Sequence, residues 1–188
     1  MNYRGRWALV TGASAGIGAA FARRLAETGA NLILTARRAD RLEALAGEMK
    51  AAHGVDTRVI AADFARPEAP ADLFDEIARE GLPVDILISN AGYGLPGYYL
   101  SNDWSAHRDF LEVMVTSYAH LARLALPGMH ERGYGRIVQV ASLAGLLPGS
   151  AGHTLYGAPK AVLVAFSPSL AGECGGTGIK VRSEERRG

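Results

Sequence analysis

The chain has 188 residues, of which 48% are hydrophobic and 21% charged, and its formal net charge is +1. That length suffices for one domain with its own core, and the balanced charge removes any general electrostatic reason to expect nucleic acid or an anionic membrane as partner. The single cysteine, Cys174, excludes an intrachain disulfide and fits a reducing compartment.

No apolar run approaches membrane-spanning length, and in "MNYRGRWALVTG" Gly12 cuts the first run too short for a signal peptide. The expectation is a soluble, cytoplasmic protein. Five histidines show no metal-ligand spacing and there is no cysteine cluster, so no metal is implied.

In chain order, the first apolar run is "WALVT" at Trp7, followed by "TGASAGIG" and a helical pattern of Ile17, Phe21 and Leu25 that stops at Gly29. "NLILTA" at Asn31 comes next, then Leu42, Leu45 and Met49 before Gly54. "RVIAA" at Arg58 precedes a helix expected to begin at Pro67, with Leu73 and Ile77 before Gly81. "VDILIS" at Val84 leads to a long helix expected from Asp103 to Leu126. "RIVQVAS" at Arg136, a helix carrying Tyr156 and Lys160, and "GIKV" complete the pattern.

The runs are continuous rather than alternating, as suits strands buried on both faces of a parallel sheet. Alternation of strand and helix predicts a doubly wound α/β fold. No linker or repeat divides the chain, so one domain is expected over residues 1–182, with residues 183–188 a charged, disordered tail.

"TGASAGIG", Thr11 to Gly18, sits where a phosphate loop belongs, between the first strand and the first helix. Gly12 permits the tight turn, Gly16 lets backbone approach a pyrophosphate, and Gly18 permits close helix packing. The helix N-terminus then offers N–H groups and a positive dipole end to phosphate. At the end of the second strand, "LTARRADRL" places Arg37 and Arg38 where a carboxylate would hold the ribose 2′-hydroxyl of NAD. Arginine there suits the 2′-phosphate of NADP, with Arg37 favoured and Ser14 as a helper. The plainer alternative is that both arginines are solvated and paired with Asp40 or Glu43.

Tyr156 and Lys160 in "HTLYGAPKAV" lie four residues apart, about one helical turn, so phenol and ammonium would share a face. A phenol beside a fixed cation is a proton donor in waiting. Pro159 lies between them. A helix capped by Thr154 would make it an interior proline costing about 3 kcal/mol. A start two residues later would make it a tolerated first-turn proline, with Tyr156 outside the regular helix. Pro168 is expected to kink the same helix near Val164.

These motifs resemble the short-chain dehydrogenase/reductase family, and the resemblance runs from Trp7 to Val181. It implies a Rossmann-type sheet with helices on both faces. It also implies NADP(H) bound by the glycine loop, including Ser14 and Ile17, and by Arg37 and Arg38. Asp63 in "AAD" would lie beside the adenine, and Asn90, Ala91 and Gly92 of "SNAG" would back the nicotinamide ribose. In this resemblance Tyr156 moves the proton at the substrate oxygen, Lys160 holds the ribose hydroxyls and favours the phenolate, and Ser142 hydrogen-bonds the carbonyl. Taken singly, Ser142 reads equally as a strand-end cap and Tyr156 as packing. Relatives of this kind suggest a homo-oligomer.

Three departures accompany the match. Met114 stands where the family often carries an asparagine that holds a relay water, and a thioether serves poorly there. The two prolines strain the helix of the acid. After "GIKV" the chain lacks the family's Pro-Gly turn, its substrate-covering segment and its last strand, so C-terminal strand(s) are expected to be missing. The resulting reading is an NADP(H)-dependent oxidoreductase for a carbonyl/alcohol pair of apolar type, with Tyr93, Leu95, Leu146 and Leu147 near the substrate. The 188-residue chain is expected to turn over poorly, if at all. The alternatives are a nucleotide-binding protein with little or no turnover, and epimerase or dehydratase chemistry on a permanently bound cofactor.

Overall fold

The computed structural model describes residues 2–184. Its six strands are β1 (Trp7–Thr11), β2 (Asn31–Ala36), β3 (Thr57–Ala61), β4 (Ile86–Ser89), β5 (Gly135–Val140) and β6 (Ile179–Glu184). They form one parallel sheet in the order β3-β2-β1-β4-β5-β6. Helices α1 (Gly16–Glu27), α2 (Ala39–His53), α3 (Ala69–Arg79), α4 (Trp104–Leu111), α5 (Ser117–Glu131) and α6 (Gly157–Glu173) connect them.

Each central strand buries both faces, which is why its apolar run is continuous. Leu9, Ile33, Ile60, Leu87 and Ile137 pack with Leu73 and Ile77 of α3, Leu121 and Ala125 of α5 and Leu170 of α6. Ala8, Val10, Leu32, Leu34, Ile86 and Ile88 pack on the other side with Ala22 and Ala26 of α1 and Leu42 and Met49 of α2. β6 behaves differently. Ile179 and Val181 are buried while Lys180, Arg182 and Glu184 are exposed, the alternation of a strand with one face in water.

Several expectations change. Ile17 is 39% exposed rather than part of the core, and α1 buries small residues instead, Gly18, Ala19, Ala22 and Ala26, together with Leu25. The first turn of α3 holds Pro70, and Pro67 lies ahead of the helix. The long helix is two helices joined by a π turn, Glu112–Thr116, and it passes Pro127 to end at Glu131. Burial of Ala125 and Met129 on either side of Pro127 holds that last turn against the sheet. β6 takes in Ser183 and Glu184, which the expected tail had claimed, while residues 185–188 lie outside the described residues.

α6 begins at Gly157, so Pro159 falls in the first turn, where its missing N–H has no intrahelical partner to lose. The helix then runs through Pro168 to Glu173 as one element. Pro168 is exposed and deprives the Val164 carbonyl of its donor. On either side, the Ser167 and Ser169 hydroxyls donate to the carbonyls of Leu163 and Ala165 at 2.8 and 3.1 Å.

At the opposite end of the sheet from the loops of interest, a buried carboxylate ties β1, β4 and α5 together. Asp85 Oδ1 accepts from Arg132 Nε at 3.1 Å and lies 3.5 Å from Arg6 Nη1, while Oδ2 accepts the Trp7 N–H at 3.2 Å. Arg132 also donates to the Val84 carbonyl at 2.9 Å. Removal of a buried carboxylate leaves the donors that it accepts from unmatched. Asp85→Ala is expected to lower folding stability by about 2–3 kcal/mol, measured by urea unfolding. A loss within error of zero would show the cluster to be dispensable.

Candidate active site

Strand order reverses between β1 and β4, because the chain leaves β1 toward β2 and leaves β4 toward β5. The loops at the C-terminal ends of these strands part there and open a crevice, the usual ligand position in such sheets. The crevice has a volume of about 740 Å³. Gly12, Ser14, Gly16 and Ile17 line it together with Arg37, Arg38, Asp63, Asn90, Ala91, Gly92, Tyr156 and Lys160. Gly18 and Ser142 are absent from that lining.

Two glycines of the loop have left-handed backbones, Gly12 with φ of 66° and Gly16 with φ of 56°. Gly18 works from beneath: a Cβ there would lie 2.6 Å from Asn90 Nδ2 and collide with the Gly12 carbonyl oxygen. No side chain caps the N-terminus of α1 and no acidic residue lies in its first turn, so its N–H groups and dipole face the crevice. The loop is pinned to β4 through Thr11 Oγ1, which accepts the N–H groups of Asn90 and Ala91 at 2.8 and 2.9 Å. Asn90 Nδ2 donates back to the Thr11 carbonyl at 2.9 Å. Of the two arginines, Arg38 donates to Ser14 Oγ at 3.0 Å instead of pairing with Asp40 or Glu43.

Tyr156 stands just before α6 yet has helical dihedrals, φ −66° and ψ −38°. The one-turn offset to Lys160 therefore survives even though the regular helix starts a residue later. Lys160 is 5% exposed and its Nζ donates to the Val140 carbonyl at 2.7 Å, fastening the first turn of α6 to the end of β5. Ser142 lies on the shoulder beyond Ala141, where its Oγ accepts the Ala144 N–H at 3.2 Å. That bond fills a lone pair and leaves the hydroxyl proton free to donate. Ser142 thus caps a short turn, Leu143–Gly145, while keeping a donor.

Residues 6–184 match the short chain dehydrogenase family. The chain belongs to the short-chain dehydrogenases. A very-long-chain 3-oxoacyl-CoA reductase of Anas platyrhynchos is 40% identical over 185 residues, 95% of this chain and 58% of the relative. A 7β-hydroxysteroid dehydrogenase structure superposes with a TM-score of 0.91 at 30% identity, covering 98% of this chain and 71% of that one. A short-chain dehydrogenase of Sphingobium yanoikuyae, solved with NADPH, gives 0.89 at 34% identity over 96% of this chain and 70% of that one. This chain spans 58% of the length of the first of these.

Among short-chain dehydrogenases this one carries Met114 in the crevice wall. Its Sδ would lie 2.7 Å from a Cβ at Gly92, so the thioether packs into the space that the glycine leaves. Three contributors escaped the sequence reading. Tyr118, fully buried on α5, donates its hydroxyl to the Ala91 carbonyl at 3.0 Å. An aromatic at helical spacing reads as core, and nothing in its pattern marks it otherwise. Gly145 lets the turn after Ser142 touch α6, since a Cβ there would lie 2.6 Å from the Lys160 carbonyl carbon. Thr11, last in "WALVT" and first in "TGASAGIG", carried no role of its own in the sequence. Among the described residues no cluster of metal ligands occurs and no helix is long and apolar enough to cross a membrane.

Burial pulls Lys160 down from an ordinary 10.5 to about 8. Between those two values the unfolded chain keeps a proton that the folded chain has released, so stability rises with pH across that window; below about 8 the penalty for the buried charge is present in full. The difference in stability between wild type and Lys160→Met should therefore move in favour of wild type by about 3 kcal/mol from pH 8 to pH 10.5. Denaturant unfolding of both proteins across that range measures it. A flat difference would place an ordinary, hydrated lysine at this position.

Proposed function

We propose that this chain is an NADP(H)-preferring oxidoreductase that moves a hydride between the nicotinamide cofactor and a carbonyl or alcohol substrate. The observation that carries the reading is the meeting of three parts in one crevice: the left-handed glycine loop at α1, Arg37 and Arg38 at the end of β2, and the Tyr156–Lys160 pair. The loop fits a pyrophosphate, because uncapped N–H groups and a helix dipole face it. Two arginines with no acidic residue at the strand end fit a 2′-phosphate. The Sphingobium relative's NADPH supports the same assignment.

When bound, the cofactor supplies the hydride. Tyr156 delivers or accepts the proton at the substrate oxygen. Lys160, with donors left after its bond to Val140, holds ribose hydroxyls and supplies positive charge beside the phenol. Ser142 donates to the substrate carbonyl, an interaction that strengthens as alkoxide character develops. The substrate is read as apolar. Tyr93, Leu146 and Leu147 are exposed and Leu95 half-buried in the two loops that flank the crevice. A relative named for a hydroxysteroid agrees in kind.

Cofactor choice is tested by titration. NADPH should bind about tenfold or more tightly than NADH, and Arg37→Ala should remove most of that advantage, as expected for a charge-assisted phosphate contact. Equal affinities in wild type would defeat the assignment.

Turnover is tested separately, with protein in excess over NADPH and a panel of ketones, so that one slow round of chemistry is still seen. Oxidation of NADPH by hydrophobic ketones, slowed about a hundredfold or more by Tyr156→Phe, is expected. NADPH bound but never oxidised would transfer the chain to the non-catalytic, nucleotide-binding reading. A clear preference for small charged keto acids would sink the apolar substrate class.

A further inference from the structure

Lys160 is the most constrained charge in the crevice and has little to hold it. Its Nζ has one carbonyl, that of Val140, and no carboxylate pairs with it among the described residues. The ionisable groups that line the same crevice are Asp63, Asp109, Arg37, Arg38, Tyr93 and Tyr156, and burial alone accounts for the lowered value of Lys160. The remaining neighbour is an aromatic face. Lys160 Nζ lies 5.6 Å from the centroid of the Tyr118 ring, within the reach of a cation–π contact.

The ring is fixed from several sides. Its hydroxyl is spent on the Ala91 carbonyl, and its body packs with Ala141 and Leu163, with Val164 alongside. Burial raises the phenol far above its ordinary range, so it stays neutral and is no proton source. Met114, one turn earlier, offers only a thioether to the crevice wall.

We propose that Tyr118 is a positioning residue for Lys160: its ring face holds the buried ammonium in place and favours the charged form. The proposal deepens the oxidoreductase reading, because it assigns the support of the charge that shares the crevice with Tyr156. In a dry site this contact replaces part of the hydration that the ammonium has lost, and it leaves the remaining N–H donors for the crevice. The phenolic oxygen has a different task, which is to hold the loop after β4 through Ala91. Ring and hydroxyl can therefore be separated by substitution.

The chain has three lysines, and Lys50 and Lys180 are exposed, so the buried Lys160 is readily assigned by NMR in protein labelled at lysine Cε and Nζ. Its titration is followed without cofactor or substrate. Tyr118→Leu removes the ring and should lower the Lys160 midpoint by about one pH unit, whereas Tyr118→Phe keeps the ring and should move it by less than about 0.3. Tyr118→Met repeats the first test if the Leu variant does not fold.

A midpoint unchanged or raised in the Leu or Met variant overturns the proposal, and so does a Phe variant that falls as far as they do. In single-turnover assays the alkaline limb of the rate should move down with the midpoint in Leu but not in Phe; a limb that ignores the midpoint also counts against it. Absence of any turnover would strike the oxidoreductase reading alone, because the NMR titration needs none.

Discussion

The seam between β1 and β4 is the constraint from which the site follows. Thr11 Oγ1 accepts two backbone N–H groups from the β4 loop, and the Asn90 amide answers by donating to the Thr11 carbonyl. Beneath it, Gly18 lets α1 sit so close that a methyl group would meet the same amide. Loop, helix and strand end thus form one rigid piece at the point where the sheet changes direction. The crevice above exists because the two chain segments diverge there, and it keeps its shape because the seam cannot slide.

Opposite this piece stands a second one, built on the end of β5. Lys160 fastens α6 to the Val140 carbonyl, Gly145 lets the turn after Ser142 lie on the helix backbone, and Tyr118 reaches from α5 to the Ala91 carbonyl. The Tyr118 hydroxyl is thus a physical link between the two pieces. Small residues recur at these contacts for one reason, namely that backbone has to approach backbone where a side chain would hold it away.

Much of this was legible in the residues. Five continuous apolar runs and their intervening helical patterns marked the parallel sheet, because strands buried on both faces have no polar side to alternate with. The glycine loop, the arginine pair and the Tyr156–Lys160 spacing were visible as local patterns, and the crevice brings them together. What escaped was set by tertiary contact. Ile17 fits an apolar helical stripe, but Gly18 and three alanines let α1 pack so closely that its first turn faces the crevice instead. Pro159 looked disruptive because the boundary of its helix is set by packing and capping. Tyr118 and Gly145 carry no signal of their own, since their roles depend on partners far away in the chain.

Lys160 has a consequence for the thermodynamics of ligand binding. With its midpoint at about 8, roughly half of the molecules in a mildly alkaline solution lack that proton. Any ligand whose oxygens prefer the ammonium must then draw protons from the medium as it binds. Its heat of binding, measured near that pH, will depend on which buffer gives them up, and its affinity will fall as the solution becomes more alkaline. Below about pH 7 the amine is already charged, and both effects fade. A side chain that looks like a static anchor is in this sense a reservoir, and the solvent becomes a participant in binding through a residue that it scarcely touches.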